Sequence, residues 1–222
     1  MIHLAGNSDA EITGRALEEL TIYESEGVDG AIIEDYHGHP KDVTKVLEES
    51  STGFKIIRGV NVLTNPYKAF ELASACGAGF VQFDSVQKKH LYLAKYNTMR
   101  ERFPDIAVLG GVRFKYTHST GNSLEEDIND GKSRCEAIVT TGEGTGIETP
   151  IQKLKYFRKY LGNFPLIVGA GVTLENAYEQ LSITDGAIIG SYFKPKKDTH
   201  AKVDRELVKE FMDRVRNIRD SN

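Results

Sequence analysis

Twice near its end the chain runs an apolar stretch into glycine. The first segment is Pro165-Leu-Ile-Val-Gly-Ala-Gly-Val-Thr173, and Leu174 then opens a helical pattern. The second is Asp185-Gly-Ala-Ile-Ile-Gly-Ser-Tyr-Phe-Lys194. Glycine at the end of a buried strand permits φ > 0 or a close backbone approach. Backbone N–H groups can then point outward at the entry of the next segment, where a helix dipole also favours an anion. The chemistry implied is phosphate binding at Gly169, Gly171, Val172, Thr173, Gly190 and Ser191. The competing explanation is a pair of tight turns with no ligand.

Other strand ends carry polar side chains on otherwise apolar runs. In order they are His3, Glu34 and Asp35, Asn61, Gln82 and Asp84, Arg113 and Lys115, and Thr141 with Glu143. A polar group closing a buried strand is costly unless it is paired, so the series as a whole says more than any member. Only one of the neighbours Glu34 and Asp35 can face a given side, because strand side chains alternate. Glu34 is a candidate general base, with burial raising its pKa towards the working range. An internal ion pair to Arg58 or Arg113 is the structural alternative. Asp84 and Lys115 could transfer protons as an acid–lysine pair, and Lys115 could form a Schiff base if desolvated. His3, Asn61, Arg113, Thr141 and Glu143 are candidate substrate contacts.

Thr140-Thr-Gly-Glu-Gly-Thr-Gly146 is a glycine-rich loop without the Gly-Lys-Ser/Thr ending of a P-loop. His37-Gly-His39 has no evident third ligand, so no metal is expected. No GxSxG elbow is present, and no cofactor is implied.

The elements that must position these groups alternate. Short apolar runs at Met1–Leu4, Ala31–Glu34, Phe54–Val62, Phe80–Phe83, Ile106–Leu109, Ala137–Thr141, Leu166–Val168 and Ala187–Ile189 read as strands. Helical patterns separate them at Ala10–Ser25, Lys41–Glu49, Pro66–Cys76, Lys88–Phe103, Ser123–Cys135, Pro150–Leu161 and Glu175–Leu181, and Val203–Ile218 closes the series. Strict alternation means βαβ units and a parallel sheet. Eight units predict an α/β protein, a single (β/α)₈ TIM barrel over residues 1–222. An open dinucleotide-binding sheet would carry GxGxxG after strand 1, and none is there. In the barrel fold the C-terminal strand ends carry the site, with phosphate after strands 7 and 8.

Composition narrows the setting. At 40% apolar and 27% charged residues the chain matches an ordinary globular domain. A net charge of −4 gives no basic surplus for nucleic acid. No apolar run approaches the ~20 residues that span a bilayer. Two cysteines, Cys76 and Cys135, are too few for a disulfide framework. A cytoplasmic protein with a phosphorylated small-molecule ligand is expected, and a homo-oligomer is compatible with these features.

Several motifs together resemble the BtpA/SgcQ family of TIM-barrel proteins. They are Asn61-Val-Leu-Thr-Asn-Pro66, Ala73-Ser-Ala-Cys-Gly-Ala-Gly-Phe80, Ala137-Ile-Val-Thr-Thr-Gly-Glu-Gly-Thr-Gly146, Leu166-Ile-Val-Gly-Ala-Gly-Val-Thr-Leu-Glu-Asn176 and Asp185-Gly-Ala-Ile-Ile-Gly190. The resemblance runs from the first strand to Asp204 and implies kinship with phosphate-binding barrels. One branch is named for photosystem I biogenesis and another for a sugar operon. The family pattern around strand 5 carries an acidic residue and a Lys-His pair. Here Gly111 stands at the acidic position and Tyr116 at that of His. The expectation is an isomerase or lyase acting on a phosphosugar or phosphoribosyl compound by general acid–base chemistry. The alternative is a non-catalytic assembly factor that keeps the barrel as a scaffold.

Overall fold

The computed structural model describes residues 1–220. Eight strands form one sheet in sequential order, and every strand pair whose register is resolved is parallel. The strands are β1 (Ile2–His3), β2 (Gly30–Glu34), β3 (Ile57–Asn61), β4 (Phe80–Phe83), β5 (Ala107–Gly111), β6 (Ala137–Thr140), β7 (Leu166–Val168) and β8 (Gly186–Ala187). The helices that follow them are α1 (Asp9–Ser25), α2 (Pro40–Glu49), α3 (Lys68–Cys76), α4 (Leu93–Arg102), α5 (Leu124–Lys132), α6 (Ile151–Leu161), α7 (Ala177–Leu181) and α8 (Arg205–Asp220). This is the α/β organisation of TIM-barrel proteins.

Local chemistry explains the element ends. Ser8 caps α1 by accepting the Glu11 N–H. Ser123 and Glu126 form a reciprocal capping box at α5. Strand β3 starts later than the apolar run suggests. The N–H groups of Lys55 and Ile56 are both taken by the Glu24 carboxylate, at 2.7 and 2.9 Å, and so are lost to the ladder. The predicted helix over Lys88–Phe103 is broken. Lys88–His90 is a single 3₁₀ turn, with the Lys88 N–H held by Asp130, and Leu91 is extended before α4 begins. Strand β8 ends at Ala187 rather than Ile189, although the Ile188 N–H still bonds the Val168 carbonyl.

The chain forms two compact units. One comprises Met1–Gln82, Ala94–Ala107 and Phe193–Lys209; the other comprises Phe83–Leu93, Val108–Tyr192 and the segment beginning at Glu210. The core of the first is built on Leu20, Ile33, Leu47, Val60, Phe70 and Tyr96, and that of the second on Val86, Val108, Ile138, Leu154, Phe157 and Val168. All twelve are almost fully buried, and each such side chain contributes about 1.5–3 kcal/mol of burial free energy.

Candidate functional site

In the second unit, three glycine-bearing loops interlock after β6, β7 and β8. Gly171 has φ +71°, and a Cβ there would lie 2.3 Å from the N and Cα of Glu148. The β7 loop can therefore touch the β6 loop only with glycine at 171. Gly146 has φ +73°, and a Cβ on it would come within 3.0 Å of Ser191 Oγ in the β8 loop. Gly169 lies against Thr141 and Val139, and its N–H is spent on the Thr140 carbonyl at 2.8 Å.

The predicted anion donors divide in two. The Thr173 N–H is taken by Asn176 Oδ1 at 2.8 Å, and Asn176 Nδ2 returns a bond to the Gly171 carbonyl at 3.0 Å. Thr173 and Gly169 are thus committed within the protein. Among the described residues, no protein acceptor takes the N–H of Gly171, Val172, Gly190 or Ser191. The predicted helix over Glu175–Leu181 begins only at Ala177, because Asn176 caps the loop instead, and its five residues make a weak dipole. What these loops offer an anion is backbone N–H groups.

The loop after β5 is wound unusually. Arg113 and Tyr116 both have positive φ, 47° and 61°, a conformation that costs a non-glycine residue about 1–3 kcal/mol. Each is tied down. Arg113 Nε pairs with Asp127 Oδ2 at 2.8 Å and its other arm donates to the Asn122 carbonyl at 3.0 Å. Tyr116 Oη accepts the Thr145 N–H at 3.1 Å, and its hydrogen bonds to Thr145 lower the phenol pKa. The Lys115 N–H donates to Thr141 Oγ1 at 2.6 Å, and that hydroxyl donates to the Gly142 carbonyl. Lys115 Nζ lies 5.6 Å over the Phe114 ring. Asp84 is half-buried and Glu143 is exposed.

Sequence reasoning passed over Lys153, in the first turn of α6. Its Nζ donates to the carbonyl of Thr141 at 2.6 Å and that of Arg113 at 2.9 Å. Burial and the Arg113 charge lower its pKa to about 8, against an opposing pull from Glu143. The available signal was a cation at the positive end of a helix, where one is ordinarily disfavoured.

In the first unit, His3, Glu34 and Asn61 end three adjacent strands and are buried together. Asn61 Nδ2 donates to Glu34 Oε1 at 2.8 Å, and His3 Nε2 lies 3.6 Å from Glu34 Oε2. The carboxylate is therefore oriented from both sides. Asp35 turns away and accepts the Leu63 N–H. Arg58 is not a partner of Glu34 here: it donates to the carbonyls of Leu47, Cys76 and Gly77. Arg113 pairs with Asp127 instead.

A second buried network in this unit surrounds Lys194. Its Nζ lies 4.0 Å from Glu19 and donates to the Thr199 carbonyl at 3.1 Å. Burial lowers its pKa to about 8, with Glu19 opposing. Arg15 bonds Glu19 and the carbonyls of His200 and Ala201. His37 bonds Thr199 and stacks on His200 at 3.6 Å. Among the described residues no group of three His, Cys, Asp or Glu side chains is arranged to hold a metal, and no helix is long and apolar enough to cross a membrane.

The sequence profile of the BtpA family matches residues 5–217, and the chain belongs to that family. It is 32% identical over 210 residues to an uncharacterized protein of Archaeoglobus fulgidus, covering 82% of each chain. It is 24% identical to the photosystem I biogenesis protein BtpA of Synechocystis, covering 94% of this chain and 80% of that one. Among solved structures, N-(5'-phosphoribosyl)anthranilate isomerase from Pyrococcus furiosus superposes with a TM-score of 0.65 at 19% identity, over 90% of this chain and 94% of the other. Thiamine phosphate pyrophosphorylase from the same organism gives 0.63 at 14% identity, over 91% and 90%. These likenesses establish the TIM-barrel fold class.

Proposed function

We propose that this chain is an enzyme acting on a phosphorylated small metabolite, a phosphosugar or phosphoribosyl compound, as an isomerase or lyase. The observation that carries this reading is the interlocked trio of loops after β6, β7 and β8, with the N–H groups of Gly171, Val172, Gly190 and Ser191 unclaimed by the protein. A phosphate accepts several such donors at once, and charge-assisted bonds of this kind are about twice as strong as neutral ones. Barrel neighbours whose names carry phosphoribosyl and thiamine phosphate ligands support the substrate class.

Acid–base roles are proposed for Glu34 in one unit and for Asp84 and Lys115 in the other. Glu34 has the best-defined surroundings, because Asn61 fixes one oxygen and His3 stands beside the other. His3, Asn61, Arg113, Thr141 and Glu143 are proposed substrate contacts. Arg113 is already paired with Asp127, and the Thr141 hydroxyl is bonded to two backbone groups. The setting proposed is the cytoplasm.

A thermal-shift screen against phosphorylated metabolites tests the reading. A ligand at 100 times its Kd adds about 2.7 kcal/mol of stability. Failure of every phosphorylated compound, and of inorganic phosphate at millimolar concentration, to raise the melting temperature overturns it.

A second reading is a non-catalytic assembly factor. It is favoured by one observation: the acidic residue of the family's strand 5 pattern is replaced by Gly111, where the backbone of Asp84 leaves no room for a side chain.

A further inference from the structure

We propose that Lys153 is a nucleophilic amine that forms an imine with the aldehyde or ketone carbonyl of the phosphorylated substrate, which rests on the reading that the β7 and β8 loops hold the phosphate.

The geometry fixes the amine. Its Nζ donates to two backbone carbonyls, Thr141 at the end of β6 and Arg113 in the turn after β5. A tetrahedral nitrogen with two N–H directions and its own carbon so placed has one direction left. In the neutral amine that direction holds the lone pair. Neither acceptor is free to drift. Arg113 is pinned at φ 47° by Asp127 and Asn122, and the Thr141 hydroxyl is bonded on both sides. Non-glycine strain of this kind persists where its surroundings over-determine it, and it clusters at functional sites.

Burial and the Arg113 cation both favour the neutral form of Lys153. Both amines lie over an aromatic ring, Lys115 Nζ 5.6 Å from the Phe114 centroid and Lys153 Nζ 5.8 Å from that of Phe157, but among the described residues no carbonyl orients Lys115 Nζ. The loop that starts at Thr141 continues to Gly146, which lies against Ser191, and to Ile147 and Glu148, which lie against Gly171. One short stretch of backbone therefore connects an acceptor of the amine to the wall of the anion cup. A ligand for that pair would carry a phosphate and a carbonyl on one small skeleton.

The step balances without a further reagent. The Nζ lone pair forms the C–N bond while the C=O π pair moves to oxygen. Oxygen takes up the proton that nitrogen gives up. A second proton, from solvent, lets that oxygen leave as water as the nitrogen pair closes C=N. The cationic imine keeps one N–H, which one of the two carbonyls can still accept.

The test uses the whole chain. It is incubated with glyceraldehyde 3-phosphate or with unphosphorylated glyceraldehyde, reduced with borohydride, and mapped by peptide mass spectrometry. The expected result is a reduced adduct on Lys153 formed about 10-fold faster than on Lys155 or Lys159, the exposed lysines of the same helix. It should form at lower concentration of the phosphorylated aldehyde and be suppressed by inorganic phosphate. Lys153→Arg, which keeps the charge and the donors, should lose it while melting near the wild-type temperature. Labelling of Lys153 no faster than of Lys155 and Lys159 overturns the proposal and leaves Lys153 a strut between two strand ends. That comparison is internal to the wild-type protein and does not depend on any variant folding. Preferential labelling of Lys153 by both aldehydes alike, indifferent to phosphate, supports the amine and instead overturns the phosphate cup.

Discussion

The carbonyl oxygen of Asp84 occupies the space where a side chain at Gly111 would begin: a Cβ built on Gly111 would lie 2.0 Å from it. The same loop is fastened to β5 by the Val86 N–H, which bonds the Gly111 carbonyl at 3.0 Å. A side chain at position 111 therefore requires the loop after β4 to move. Gly111→Asp should destabilise by more than about 3 kcal/mol, the range of severe overpacking. Chemical denaturation measures it, and a stably folded variant would show that the loop yields easily.

Gly171 combines a left-handed φ with contact on the Glu148 backbone. Even Gly171→Ala must move one loop, at a cost of roughly 1–3 kcal/mol. We expect phosphate affinity and melting temperature to fall together. Calorimetric titration with inorganic phosphate checks this, and undiminished affinity in a folded variant would place the anion elsewhere.

Glu34→Gln keeps an oxygen for Asn61 and removes the charge beside His3. If Glu34 is the general base, turnover on the metabolite found by screening falls about 10²-fold or more. Stability should move little, since the amide retains shape and one hydrogen bond. Full turnover in the variant would falsify this role and shift the assignment to Asp84 or Lys115.

Glu19 is buried between Arg15 and Lys194. Glu19→Gln leaves two buried cations facing a neutral group. Removing one partner of a buried ion pair costs about 3–5 kcal/mol, and we expect a loss of that size in urea unfolding. A loss below about 1 kcal/mol would mean that the carbonyls holding Arg15 suffice.

Lys153 and Lys194 both have pKa values lowered to about 8. Between about pH 8 and the ordinary lysine value near 10.5, the unfolded chain binds more protons at these sites than the folded one. Stability therefore gains with rising pH from each lysine across that window. Lys153 faces Arg113 and Glu143, and Lys194 faces Glu19, Arg15 and Asp198. Melting temperatures of the wild type and Lys153→Met should diverge as pH rises from 8 to 10. Parallel curves would contradict the lowered value at Lys153.

Periodicity and glycine placement carried the fold class. β7 is found at the predicted Leu166–Val168, and α1 and α2 start within a residue of expectation. The placement of the candidate residues was half legible. Strand ends identify Glu34, Asn61 and His3, because alternation and register follow from backbone geometry. What sequence cannot show is which side chain intercepts which N–H. Asn176 claims the amide of Thr173, and Glu24 claims two amides that the apolar run assigned to β3. The lowered pKa values of Lys153 and Lys194 were hidden for a related reason. Each lysine lies on a helix or connecting loop, outside the strand ends, and gains its character from groups distant in sequence.

The contacts of Arg15 with His200 and Ala201 join residues 185 and 186 positions apart. Val203 likewise donates to Glu19 across 184 positions. The unit that contains residues 1–82 is therefore closed by a segment that is synthesised long after α1. On the ribosome, α1 must wait with only its internal Arg15–Glu19 pair until Lys194 and its neighbours emerge, whereas the stretch from Val108 to Tyr192 can assemble from contiguous chain. Closing so wide a loop has an entropic cost that is met late.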